Sequence, residues 1–237
     1  MKNYIILNGN ISTNITGLLI QELPPISKPK MRANIEEIDG RDGDEVTPLG
    51  YSAYDKEFSI GLYGDFDIDE VIQYFNSSGT VVFSNEEDKY YNYQILEQID
   101  FERLIRFRTA TVKMHVQPFK YSTVEAEKSF TITDETSIQI RNIGNYYSKP
   151  IITIYGSGTI NLSLNGIQLF VIDLGATATQ ITIDFDKMEA YNQETTVLMN
   201  RQVTGNYDNF SLNVGLNTIS WTGTITQIQI TNYSRWL

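Results

Sequence analysis

The sequence predicts an all-β protein, mainly strand with one short helix. Three observations support this. Short runs of β-branched and aromatic residues recur along the chain, many with a two-residue period and ending in turn formers. Only one stretch, "DIDEVIQYFN", has a helical apolar stripe. The charge is also unevenly divided: residues 1–135 hold 13 Lys/Arg against 23 Asp/Glu, a balance of −10, while residues 136–237 hold 5 against 6, a balance of −1. That break predicts two domains, 1–130 and 131–237, with the junction in the polar segment "STVEAEKSFTITDET" (122–136).

In the first half, strands are expected in "YIILNG" (4–9), "TGLLIQEL" (16–23), "EFSIGLYG" (57–64), "TVVFS" (80–84) and "YYNYQILEQI" (90–99). In "TVKMHVQPF", Val112, Met114 and Val116 alternate with Lys113, His115 and Gln117, the pattern of a half-buried strand. Ile105 and Phe107 sit on the opposite parity, which predicts a bulge or twist near Thr109 and Ala110. The helix has Asp67 as N-cap, Glu70 placed for a capping box, and Ile68, Val71, Ile72 and Phe75 as its apolar stripe; Asn76 to Gly79 ends it.

In the second half, "KPIITIYG", "GTINLSLNGIQLFVIDL", "QITIDF", "FSLNVGLNTISW" and "TITQIQI" read as short alternating strands. Asn165-Gly166 between two such runs predicts a two-residue hairpin turn, since a type I′ turn needs positive φ at both central residues. Ile225 falls out of parity with Ile228 and Ile230. Seven or more short strands at about ten-residue spacing predict a sandwich or jelly roll. The segment 194–210 gives no clear reading.

Composition excludes several classes. With no Cys there are no disulfides, zinc-thiolate sites or thiol catalysis. No apolar run approaches the roughly 18 residues of a membrane span, so no membrane role is expected. The start, "MKNYIILNGNIST", reads as a strand rather than a secretory signal. A net charge of −11 disfavours binding to DNA phosphate.

Candidate chemistry is sparse. The acidic stretch "IEEIDGRDGDEV" (35–46) suggests a calcium loop, but its spacing is wrong. Counting from Asp39 puts Arg41 at the third ligand position, and counting from Asp42 puts Val46 at the fifth. A polar turn built on Gly40 and Gly43 is the better reading. His115 is the only histidine and is placed on the polar face of a strand. Asp184 and Asp186 share strand parity, the one arrangement reminiscent of a hydrolase carboxylate pair. "YGSGT" and "LYGDF" lack the context of a phosphate loop. Arg103, Arg106 and Arg108 form the only dense basic patch, read as a solvated strand face or a subunit contact. Trp221 and Trp236 could stack on sugars but sit among core-like residues. No catalytic, cofactor-binding or metal-binding residue is assigned, no cofactor is implied, and an enzyme is not expected.

Taken in order, "GRDG" (40–43), the capped helix, "DKYYNYQI" (88–95) and "VKMHVQPFKY" (112–121) resemble the N-terminal domain of the distal tail (Dit) proteins of long-tailed, non-contractile phages. "NIGNYYSKPIITIYGSGTINLSLNG" (142–166), "ITIDFD" and the terminal "LNVGLNTISWTGTITQIQITNYSRWL" resemble that family's galectin-like C-terminal domain. The resemblance implies an N-terminal β-sandwich or split-barrel ring domain over 1–130 and a galectin-like β-sandwich over 131–237. It implies a structural virion protein, made in the host bacterial cytoplasm, that forms a hexameric ring, or two, at the tail tip. Its partners would be the tail tube protein, the tail-associated lysin and the receptor-binding baseplate proteins, with DNA passing through unbound. Residues 136–237 contain no His, so the usual galectin sugar site is not expected. The alternative is a carbohydrate-binding module for host cell-wall glycans using Trp221.

Overall fold

The computed structural model describes residues 2–75, 77–125, 127–177 and 179–237; Asn76, read above as part of the helix stop, lies outside them. The fold is all-β, with two short α-helices among the described residues. By contacts, the chain divides into two compact units, Met1–Thr123 together with Leu237, and Val124–Trp236.

The first unit contains β1 (Ile5–Leu7), β2 (Asn10–Ile11), β3 (Leu18–Ile20), β4 (Met31–Glu37), β5 (Asp44–Tyr51), β6 (Tyr54–Leu62), α1 (Ile68–Tyr74), β7 (Ser78–Phe83), β8 (Lys89–Gln94), α2 (Phe101–Phe107) and β9 (Thr109–Ser122). Its main sheet is antiparallel in the order β2-β1-β7-β8-β9-β6-β3. The parity of β9 decides its packing: Val112, Met114 and Val116 are fully buried, while Lys113 and His115 point the other way. They join Ile5, Leu7, Ile60, Val81 and Phe83 in one core. Tyr91 and Tyr93 belong to that core as well, and Phe83 meets Phe58 and Tyr91 edge-on at 6.0 and 5.9 Å.

Helix α1 starts where the sequence indicates. The Asp67 carboxylate accepts from the backbone N–H of Asp69 at 2.9 Å and of Glu70 at 3.4 Å. Its buried face differs from the expected stripe: Val71, Tyr74 and Phe75 turn inward and Ile72 is exposed. The rotation is fixed by Tyr74, whose single hydroxyl proton is shared between the carbonyls of Ile5 and Asn10, both at 3.1 Å. Burial pushes that phenol's pKa up.

"FERLIRFR" is a helix, not a strand carrying a bulge. Asp100 caps α2 by accepting from Arg103 N–H at 2.8 Å, Leu104 is its fully buried residue, and Arg108 ends it in the left-handed conformation at φ 59°. The parity change before Thr109 is therefore a helix-to-strand transition.

The second unit contains β10 (Lys128–Thr131), β11 (Ser137–Asn142), β12 (Ile151–Leu164), β13 (Ile167–Asp173), β14 (Thr179–Asp184), β15 (Glu189–Tyr191), β16 (Val203–Gly205), β17 (Gly215–Thr231) and β18 (Arg235–Trp236). The sheet order is β10-β17-β12-β13-β16, with β11 also on β17, β14 on β12 and β15 on β14. Asn165 and Gly166 both take positive φ, 51° and 84°, and close the β12–β13 hairpin as expected. Four of the expected short strands are in fact two long ones, β12 and β17. Tyr155 pairs with Gln227 but Gly156 pairs with Ile225, so Thr226 is an extra residue in β17. That bulge lets Ile225, Ile228 and Ile230 all face the core despite their parity. At the core's centre, Phe185 and Phe210 stack at 4.1 Å and Phe170 meets both edge-on.

Candidate functional site

The exposed surface of the first unit holds its most unusual feature. Strands β4 and β5 pair only with each other, as a separate two-stranded sheet. Their turn contains Gly40 and Gly43 at φ 80° and 82°, matching the polar turn expected from the sequence. The pairing register Ala33 with Pro48, Ile35 with Val46 and Glu37 with Asp44 places these six residues on one face. That face is apolar along its length and acidic at its tip. Ile35 and Val46 are 61% and 54% exposed. An isolated two-stranded hairpin is marginal in water, and this one leaves its apolar side uncovered.

The base of this arm is tied down. Ser52 N–H donates to Lys30 carbonyl at 2.9 Å, and Tyr51 meets Phe119 of β9 edge-on at 6.0 Å. The segment leading into β4 is held through its carbonyls: Asn85 Nδ2 donates to Pro24 at 3.1 Å, Lys56 Nζ to Pro25 at 2.8 Å, and Tyr54 hydroxyl to Ser27 at 3.4 Å. Lys56 is buried, its ammonium 4.9 Å from the centre of the Tyr91 ring and 5.8 Å from that of Phe83. Burial lowers its pKa to about 8, an effect that Glu86 opposes. Beside it Glu86 accepts from Lys120 Nζ at 2.7 Å through one oxygen and from Tyr91 hydroxyl at 3.0 Å through the other. This network serves to anchor the arm, and every buried partner in it is satisfied.

Helix α2 forms a second surface feature at the opposite end of the β6–β9 strand pair. The register runs from Tyr54 with Val116, near the arm, to Gly61 with Thr109, next to α2. Seven residue steps separate these ends, roughly 24 Å. Asp100, Glu102, Arg103, Arg106 and Phe107 line an open depression of about 580 Å³. Phe107 is 71% exposed, Arg106 pairs with Glu102 at 2.6 Å in solvent, and Arg103 makes no ion pair among the described residues.

The residues singled out for chemistry do not converge. His115 lies on the polar face of β9, as expected, with Nδ1 2.8 Å from Asp55 Oδ1. Lys113 bridges the same Asp55 at 3.2 Å and Glu97 at 2.6 Å, and these contacts hold the Asp55 carboxyl below its usual range, the His115 hydrogen bond being the largest cause. Asp184 and Asp186 do not share a strand face. Asp184 is the last residue of β14, buried, and accepts from the N–H groups of Asp186 and Lys187, both at 3.0 Å; Asp186 lies exposed in the turn. Trp221 is core, 4% exposed, and its ring is not available to stack on a glycan. Among the described residues no cluster of three or more His, Asp or Glu side chains could hold a metal. None of their helices is long and apolar enough to cross a membrane.

The exposed apolar face of the arm escaped the sequence reading. Its signal was available: Met31, Ala33 and Ile35 alternate with Arg32, Asn34 and Glu36, opposite Val46 and Pro48.

Compared with solved structures, the chain is similar over its whole length to the Dit protein of phage SPP1, described as a paradigm of the hub adsorption apparatus in phages infecting Gram-positive bacteria. The TM-score is 0.66 at 15% identity, covering 100% of both chains. This chain has a Dit-type fold. A chain of the phage P2 baseplate in its activated, calcium-bound conformation is also similar, with TM-score 0.53 and 11% identity over 98% of each chain. No protein-family model and no curated protein matches the sequence.

Proposed function

We propose that this protein is a structural hub of a phage tail tip. Copies of the chain form a hexameric ring, single or paired, that joins the tail tube to the tail-associated lysin and to receptor-binding baseplate proteins. The first unit makes the ring and the second, a galectin-like platform, docks partners. The protein resides in the virion, after assembly in the host cytoplasm. It works through contacts and not by turnover.

The observation that carries this reading is the end-to-end likeness to the SPP1 Dit fold, with both chains covered completely. The arm supports it independently, since an apolar hairpin face left in water calls for a neighbouring subunit. The acidity of residues 1–135 supports free passage of DNA through the ring, because like charge keeps phosphate from adhering.

Electron microscopy of the purified full chain, alone and mixed with its tail tube and lysin neighbours, tests the proposal. Six-fold rings, and labelling of virions at the tail tip, are the expected results. Absence of the protein from the tip, or a monomer that turns over a wall glycan, would overturn it.

A further inference from the structure

We infer that the Glu125 carboxylate is a latch that shortens the link between the two units to a single residue, and that opening it frees the second unit to swing on a longer tether. The device belongs to one chain, so it goes beyond the hub reading and stands or falls separately from it.

The chain is held on both sides of the junction. On the first-unit side, β9 keeps its pairing up to Ser122, opposite Lys89. Thr123 follows, its N–H donating to the Asp88 carbonyl at 3.1 Å and its hydroxyl to the Glu87 carbonyl at 3.2 Å. On the other side, Glu125 accepts three hydrogen bonds from within the second unit. Its Oε2 takes the Ser234 N–H at 2.7 Å, and its Oε1 takes the Ser234 hydroxyl at 3.0 Å and Asn232 Nδ2 at 2.9 Å. Val124 alone separates the two anchors, and it is 79% exposed.

The receiving groups are set for a carboxylate. Asn232 and Ser234 are both buried, and each is oriented by a partner in the second unit. The Ser148 hydroxyl donates to Asn232 Oδ1 at 2.8 Å, which turns the amide nitrogen toward Glu125 and toward the Arg141 carbonyl, 3.1 Å away. The Ile143 N–H donates to Ser234 Oγ at 3.1 Å, which leaves the hydroxyl proton for Glu125. Three preset donors around one ionised acceptor make charge-assisted bonds, stronger than the neutral kind. Opening the latch leaves buried donors short of an acceptor, and that keeps it shut at rest.

Release alters the tether and spares the units. Regular pairing in the second unit resumes at Lys128, opposite Ile230. With Glu125 loose, residues 124–127 all join the link, and its reach grows from roughly 3.5 Å to about 14 Å. Neither apolar core includes Glu125.

Spin labels on the cysteine-free chain read the device directly. Leu96→Cys and Leu198→Cys place one label at an exposed position of each unit. At a dilution where copies stay separate, the label-to-label distance distribution should be narrow while Glu125 is in place. Glu125→Ala should broaden it about twofold or more and speed cleavage after Glu127 by a Glu-specific protease about tenfold or more, the factor for losing one charged hydrogen bond. Glu125→Gln keeps the side chain's size but turns an amide nitrogen toward those donors, and it should give intermediate values in both measurements. Amide hydrogen exchange in β12 should stay slow in both variants. Fast exchange there would make Glu125 a support of the second unit's fold and overturn the latch. A distribution already broad with Glu125 in place, or one that neither variant changes, would overturn it as well.

Discussion

Lys56 donates through Nζ to the carbonyl of Pro25 over 2.8 Å, from a residue only 3% exposed. This contact ties the body of the first unit to the segment that launches the arm. Its pKa, about 8, lies below the ordinary 10.5. Between those values the unfolded chain holds more protons than the folded one, so the contribution of Lys56 to stability rises with pH across that window. Below about pH 8 the full cost of burying the charge is present. Urea denaturation of wild type and Lys56→Met from pH 7 to 10.5 should show the difference moving in favour of wild type by about 3 kcal/mol. Glu86 and Lys120 face the same ammonium, so the comparison should be repeated in Glu86→Gln; a flat difference in both backgrounds would refute the assignment.

Removing the shared acceptor should cost more. Glu86→Ala leaves Lys120 and the Tyr91 hydroxyl without their carboxylate in a buried setting. A loss of about 3–5 kcal/mol is expected by chemical denaturation. Glu86→Leu combined with Lys120→Met should regain most of it, because the pair is then replaced by apolar packing.

Gly79 adopts φ 145°, and a Cβ there would run into the side chain of Asn8. That side chain clamps β7 by accepting from Thr80 N–H at 2.8 Å and donating to Ser78 carbonyl at 3.2 Å. Gly79→Ala should destabilise the chain by about 2 kcal/mol or more, combining backbone strain with loss of the clamp. Thermal melts of Gly79→Ala with and without Asn8→Ala should show only partial relief, since the strain of the backbone persists.

The arm should be unnecessary for folding. Ile35→Asn and Val46→Asn touch exposed side chains and should change stability of the monomer by no more than about 0.5 kcal/mol. Analytical ultracentrifugation should nevertheless show a clear loss of higher species. Equal loss of stability and assembly would mean that the arm packs on its own subunit.

The sequence made much of this visible where one face is buried and the other wet. Val112, Met114 and Val116, and the Asn165-Gly166 turn, could be placed because their patterns are local. The capped helix at Asp67 was legible for the same reason, although its rotation depended on the reach of Tyr74 to Ile5 and Asn10 across the sheet. Helix α2 was hidden because two turns of "FERLIRF" offer one buried residue, Leu104, and residues equally suited to a strand. The extra residue at Thr226 showed only as a broken parity among three isoleucines, and the hydrogen bond its hydroxyl donates to the Tyr155 carbonyl is a long-range fact. The arm was missed because acidic residues and Pro48 dominate its reading, while its alternation points to a surface that the chain itself does not cover. Trp221 read correctly as core, which leaves a glycan-binding role without its principal residue.

Because β4 and β5 hydrogen-bond only to each other, backbone groups along both outer edges of the hairpin face water. Their amide hydrogens should exchange with solvent far faster than those of β9, which is flanked by β8 and β6, so deuterium labelling of the free chain should mark the arm early and β9 late.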